Sequence, residues 1–90
     1  MPRMPTAQIR PNPDVAWRRV EDEVVLVNLK TNRIYNLNRT ASRFWELLNE
    51  GLQRETLERK MLEEFDVDES HLRREIDALI EELSSEGLVS

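Results

Sequence analysis

Hydrophobic and polar positions follow a strand period along the first half of the chain and a helical period along the second half. Residues 15–20 alternate in the manner of a strand, and residues 24–29 form a nearly continuous run of β-branched and apolar side chains. A third short segment, residues 34–37, follows a polar turn that contains Asn32, a residue suited to a left-handed backbone. We therefore predict a three-stranded meander whose middle strand is covered on both faces.

From residue 38 onward the apolar residues recur at the spacing of helices, and the sequence predicts three of them. Asn38 or Thr40 can cap the first helix, Asp66 or Asp68 can cap the third, and Gly51 and Gly87 are placed to end the first and third. The three apolar stripes are, in order, Ala41, Phe44, Trp45 and Leu48; Leu57, Met61, Leu62 and Phe65; and Leu72, Ile76, Leu79, Ile80 and Leu83. The order of elements predicts a single α+β domain.

The N-terminal residues differ in composition from the rest of the chain. All four prolines lie within the first 13 residues. We predict that residues 1–14 form a flexible, proline-rich arm and that residues 15–90 form the folded domain. The alternative is that residues 9–15 lie along the body of the domain and cover an edge of the sheet.

The charge balance excludes several classes of function. The chain has 13 Lys and Arg against 18 Asp and Glu, a net charge of −5, whereas nucleic-acid binders usually carry a basic surplus. Residues 66–86 alone contain eight acidic and two basic residues. The chain has no cysteine, which excludes disulfides, thiol nucleophiles and zinc–thiolate sites. No segment approaches the length and apolarity of a membrane span or of a signal peptide, so we expect no membrane partner and a cytoplasmic location.

The candidate catalytic groups do not form a site by their spacing. His71 is the single histidine, and no second histidine or cysteine could join it in a metal site. Adjacent acidic residues on a helix point about 100° apart and do not converge on one atom. We therefore expect no catalysis by this chain, and no metal or other cofactor.

The third predicted strand offers a different kind of chemistry. Residues 33–37 contain neither proline nor an acidic residue, the features that usually protect an edge strand. Such an edge can accept an added peptide strand, and the third helix could supply one wall of a groove beside it. The alternative is that another element of the fold covers this edge.

Residues 25–41, followed by a matching pattern in the helical half, resemble the PqqD-like family of leader-peptide recognition elements, which serve pathways that modify ribosomally made peptides. The matching residues of the helical half are Phe44-Trp45-Glu46-Leu47-Leu48, Phe65-Asp66-Val67-Asp68, Leu72, Glu75-Ile76, Leu79-Ile80, Leu83 and Gly87-Leu88. The similarity covers residues 15–89. Residues 30–33 replace the Pro-Glu-Gly turn of the pyrroloquinoline-quinone branch, so the sequence is more similar to the stand-alone recognition proteins of lasso-peptide biosynthesis.

The resemblance implies a winged helix-turn-helix-like body in which a leader peptide adds to the third strand as a fourth, antiparallel strand. It implies peptide contacts from the strand residues Arg33, Ile34, Tyr35, Asn36 and Leu37. It implies a helix wall formed by Leu72, Arg73, Ile76, Asp77 and Ile80. Leu79 and Leu83 are expected in the core instead, because the helix must also bury a face against the sheet.

We predict a non-catalytic module that captures the leader segment of a precursor peptide and presents it to a processing enzyme, with a lasso-type leader protease as the expected partner. One alternative is a PqqD-type peptide chaperone for a radical S-adenosylmethionine enzyme. A winged-helix DNA-binding regulator is disfavoured, because the acidic third helix would repel phosphate. A general adaptor that docks on a protein through this acidic helix is the remaining alternative.

Overall fold

The structure, a computed structural model, describes residues 9–90. Its elements are β1 (Val15–Val20), β2 (Glu23–Asn28), β3 (Arg33–Leu37), α1 (Arg39–Asn49), α2 (Arg54–Glu64) and α3 (Glu69–Ser85). The predicted α+β fold, a three-stranded antiparallel sheet followed by three helices, is confirmed.

The sheet is a meander in the order β1-β2-β3, and both strand pairs are antiparallel. Asn32 adopts the left-handed conformation predicted for it, with φ of 64°. Glu21 does the same in the first turn, with φ of 60°, which its residue type does not indicate. The side chain of Asn28 accepts a hydrogen bond from the amide of Lys30 at 2.9 Å and so stabilises the start of the second turn.

Only one face of the sheet is packed, so the prediction that β2 is covered on both faces is wrong. Val24 and Leu26 are fully buried, whereas Val25 and Val27 between them are only partly buried. On the same outer face Ile34 of β3 is 67% exposed. Helix α1 packs against β2 and β3, and α2 and α3 follow it in sequence. The exposure of Ile34 shows that no element within residues 9–90 fully covers the outer face.

Helix α1 lies at the centre of the core. Its N-cap is Asn38, one of the two predicted capping residues, whose side chain accepts a hydrogen bond from the amide of Ala41. Phe44 and Trp45 are buried, with exposures of 2% and 0%. The hydroxyl of Ser42 is also fully buried, and it links this helix to the sheet through two backbone hydrogen bonds.

Ion pairs connect α2 to α3. The guanidinium of Arg54 lies 2.6 Å from Glu58 on its own helix and 2.7 Å from Asp77 of α3. Arg73 of α3 also reaches Glu58, at 3.3 Å. These contacts show which side of α3 faces α2, because Arg73 and Asp77 are one turn apart on the same side.

The two ends of the described chain pair with each other. The amide of Arg10 donates to the carbonyl of Ser90, and the amide of Asn12 donates to the carbonyl of Leu88. Residues 9–12 therefore lie along the body, as one of the two predictions for this segment has it, but they pair with the C-terminal residues and not with an edge of the three-stranded sheet. Residues 1–8 of the predicted arm lie outside the described residues, and the division at residue 15 stays a prediction.

Within residues 9–90, every helix falls short of the length and apolar character that a membrane span requires.

Candidate functional site

Strand β3 forms one edge of the sheet. It pairs with β2 on one side, and no strand within residues 9–90 pairs with it on the other. Its five residues include no proline and no acidic side chain. An unprotected edge of this kind exposes a row of backbone donors and acceptors that another strand can use.

Ile34 and Asn36 are the two residues of β3 whose backbone groups are free to bind an added strand. The amide of Val24 and the carbonyl of Leu37, which are partners in the β2–β3 register, both bind the Ser42 hydroxyl, at 2.7 and 3.0 Å. Their backbone groups therefore face the space between β2 and β3. Because backbone groups alternate in direction along an antiparallel strand, Ile34 and Asn36 direct their N–H and C=O groups away from the sheet.

A groove of about 340 Å³ lies between this edge and α3. Its floor is apolar and is formed by Leu37, Ala41, Leu79, Leu83 and Leu88. Its remaining lining residues are polar, namely Tyr35, Asn36, Asn38, Glu82 and Glu86. A strand added to β3 would therefore place alternate side chains over an apolar floor, which is the usual geometry of strand addition.

A second cavity of about 230 Å³ continues the groove along α3. It shares Asn38, Ala41, Leu79 and Glu82 with the first cavity. It adds Thr40, Glu75 and Ala78. The two cavities together form one groove, which follows the face of α3 that carries residues 75, 79, 82 and 86.

Tyr35 and Glu86 close one end of the groove. The Tyr35 hydroxyl donates a hydrogen bond to Glu86 Oε1 at 2.9 Å, and the Arg33 guanidinium lies 3.6 Å from the same oxygen. Partial burial and the interaction with the Glu86 carboxylate raise the pKa of Tyr35 above its ordinary value. The hydroxyl therefore stays protonated at neutral pH and keeps donating to Glu86.

The structure places the five predicted strand residues on the edge that borders the groove. Tyr35, Asn36 and Leu37 line it, with the side chains of Tyr35 and Leu37 on the inner face of the sheet and that of Asn36 on the outer face. Arg33 reaches it through Glu86, whereas the side chain of Ile34 projects on the outer face of the sheet. Peptide contact by these residues stays a prediction, but the edge position on which that prediction depends is present.

None of the five residues of the predicted helix wall lines the groove beside β3, and their contact with a peptide stays a prediction. Leu72 and Ile76 are 1% exposed and belong to the core. Arg73 and Asp77 form ion pairs with α2. Ile80 lies on the far side of α3, in a small cavity that Ile9 and Leu57 also line. Leu72 and Ile76 of the apolar stripe of α3 pack into the domain, whereas Leu79 and Leu83 of the same stripe border the groove.

The helix residues that do line the groove are ones that the sequence places in the core or does not single out. Leu79 is expected in the core but is only partly buried, while Leu83 is buried at 3% and also contributes to the floor. Glu82 and Glu86 look like ordinary solvated positions in the sequence. The available signal is their spacing, since residues 75, 79, 82 and 86 recur at helical intervals along one face.

The described residues contain no group of three or more His, Cys, Asp or Glu side chains that could hold a metal ion. His71 lies 3.3 Å from Glu75 on the same helix and has no second histidine nearby. The groove combines the free backbone groups of β3 with an apolar floor and acidic side chains.

Comparison with known proteins identifies the family. No curated protein matches the sequence. One solved structure, described as TbiB1 in complex with the TbiA(beta) leader peptide, is 28% identical, has a TM-score of 0.86 and covers 90% of this chain and 94% of its own. A second, described as lasso peptide synthetase B1 complexed with the leader peptide, has a TM-score of 0.83, covers 93% and 99%, and at 23% identity shows likeness of fold alone. The family model described as coenzyme PQQ synthesis protein D (PqqD) matches residues 23–89, so this chain belongs to the PqqD family.

Proposed function

We propose that this protein binds the leader segment of a ribosomally made precursor peptide as an added, antiparallel strand along β3. The observation that carries the proposal is the unpaired edge of β3 beside a groove with an apolar floor. The structural relative that is 28% identical is described as a complex with a leader peptide, which supports the same class of ligand for this chain.

The backbone bonds alone do not account for tight binding. Ile34 and Asn36 offer two N–H and two C=O groups, and each hydrogen bond contributes a net of about 0.5–1.5 kcal/mol. Micromolar affinity corresponds to about 8 kcal/mol, and ordering an extended peptide opposes binding. Most of the affinity must therefore come from side chains that fill the groove over Leu79 and its neighbours.

The bound leader is then presented to a processing enzyme, for which a lasso-type leader protease is the first candidate. The chain itself contributes binding and no bond-breaking step. The family model is described as coenzyme PQQ synthesis protein D. The second candidate partner is therefore the one that the sequence resemblance implies for a PqqD-type peptide chaperone, a radical S-adenosylmethionine enzyme.

Isothermal titration calorimetry with the short precursor peptide encoded beside this gene tests the proposal. We expect saturable binding with one peptide per domain, and retention of that binding by a peptide that contains the leader segment only. Absence of saturable binding at high micromolar concentration would overturn it. Addition of a lasso-type leader protease or of a radical S-adenosylmethionine enzyme to the complex then shows which of the two is recruited.

A further inference from the structure

The acidic side of the groove bears on which peptides it accepts, and this inference rests on the proposed function. Three carboxylates, those of Glu75, Glu82 and Glu86, line the two cavities, and no basic residue lines either of them. Two of the three, at the ends of the groove, already have side-chain partners. Glu86 accepts from Tyr35, and Glu75 lies 3.3 Å from His71.

Glu82 differs from the other two in position and in partners. It is the one carboxylate that lines both cavities, which places it midway along the groove. Within residues 9–90 its side chain forms no ion pair and no hydrogen bond. It is exposed in the peptide-free protein, so water solvates its charge.

A peptide seated in the groove would remove much of that water. A carboxylate that is covered without a partner destabilises the complex, because its desolvation is not compensated. A cationic side chain above Glu82 supplies the compensation, whereas an acidic one adds repulsion from the Glu82 carboxylate. The free strand edge and the apolar floor thus define where a peptide binds, and Glu82 distinguishes between peptides.

We propose that Glu82 is a specificity-determining residue that selects leader peptides carrying a lysine or arginine on the side facing α3. Side chains on one side of a strand recur every second residue. Since Leu79 lies one turn before Glu82 on α3 and forms part of the floor, the preferred segment carries an apolar residue two positions from the basic residue.

Selection from a display library of random short peptides tests this directly, with the full chain as bait. We expect the wild-type protein to enrich lysine or arginine two positions from an apolar residue. Glu82→Lys should instead enrich aspartate or glutamate at that position. Glu81→Lys is the matched control, because it changes the charge by the same amount at an exposed residue that lines neither cavity. The Glu81→Lys variant should select the same peptides as the wild type.

The magnitude is tested with one selected peptide and its variant in which the basic residue is glutamine. The glutamine peptide should bind the wild-type protein at least about fivefold more weakly, because it leaves the covered Glu82 carboxylate without its partner. It should bind Glu82→Gln as well as the parent peptide does.

The outcomes separate this inference from the proposed function. Enriched peptides without a basic residue, or equal shifts with Glu81→Lys and Glu82→Lys, overturn the role of Glu82 and leave strand addition standing. If no peptide is enriched, or if enriched peptides bind equally well when Asn36 is replaced by proline, strand addition along β3 is itself contradicted.

Discussion

Replacement of Asn36 by proline removes one of the backbone donors on which strand addition depends. Asn36 directs its N–H away from β2, so the substitution breaks no bond of the β2–β3 ladder. Proline is tolerated in an edge strand when its nitrogen faces outward, and Asn36 is exposed. The variant should therefore fold, which circular dichroism and thermal unfolding can verify.

The expected loss of affinity follows from the missing donor. One carbonyl of the bound peptide loses its partner and remains desolvated, which costs about 1–3 kcal/mol. That free energy corresponds to roughly a five- to 150-fold increase in the dissociation constant, and we expect at least about tenfold because the ring also occupies space beside the edge. Calorimetry or fluorescence anisotropy with a labelled leader peptide measures it.

Asn36→Ala is the matched control, since it removes the same side chain and retains the backbone N–H. We expect its dissociation constant to stay within about threefold of the wild-type value, because a surface substitution of this kind changes little. If Asn36→Pro is folded and binds as well as Asn36→Ala, the peptide does not use the β3 edge.

Three further substitutions test the core, the groove and the surface charges. Ser42→Ala leaves two buried backbone groups without their shared partner and should lower the free energy of unfolding by about 2 kcal/mol in denaturant titrations. Ser85→Ala, at an exposed site, is the control and should change the free energy of unfolding by less than about 0.5 kcal/mol. Leu79→Ala should weaken leader binding about fivefold or more in calorimetry, and Ile80→Ala, on the far side of α3, should leave it unchanged. The hydrogen bond from Arg43 lowers the pKa of Glu64. The stability that this pair contributes is therefore present above the ordinary carboxyl pKa and is lost as the pH falls through the lowered value. Glu64→Gln should reduce the loss of thermal stability on acidification.

The order of strands and helices could be predicted because each element has a strong local period. The helical stripes are properties of neighbouring residues, and so are the capping role of Asn38 and the left-handed positions of Asn32 and Gly51. Local signals of this kind do not depend on how the elements pack, which is why they survive in the folded structure.

The side of α3 that borders the groove could not be predicted in the same way. Leu72 and Ile76 form part of the most regular apolar stripe, and such a stripe is equally suited to the core and to a peptide-binding wall. The choice between the two depends on the rotation of α3 against α2, which the ion pairs of Arg73 and Asp77 reveal only in the folded protein. The same reasoning applies to β2, whose apolar outer face suggested a covering layer that residues 9–90 do not provide.

Residue-resolved amide hydrogen exchange of the protein with and without the leader peptide tests strand addition along β3 without any mutation. We expect the amides of Ile34 and Asn36 to exchange rapidly in the peptide-free protein and to become strongly protected in the complex, while the amide of Tyr35 is protected in both states. Saturable leader binding that leaves the Ile34 and Asn36 amides exchanging at their original rates would show that the peptide binds elsewhere.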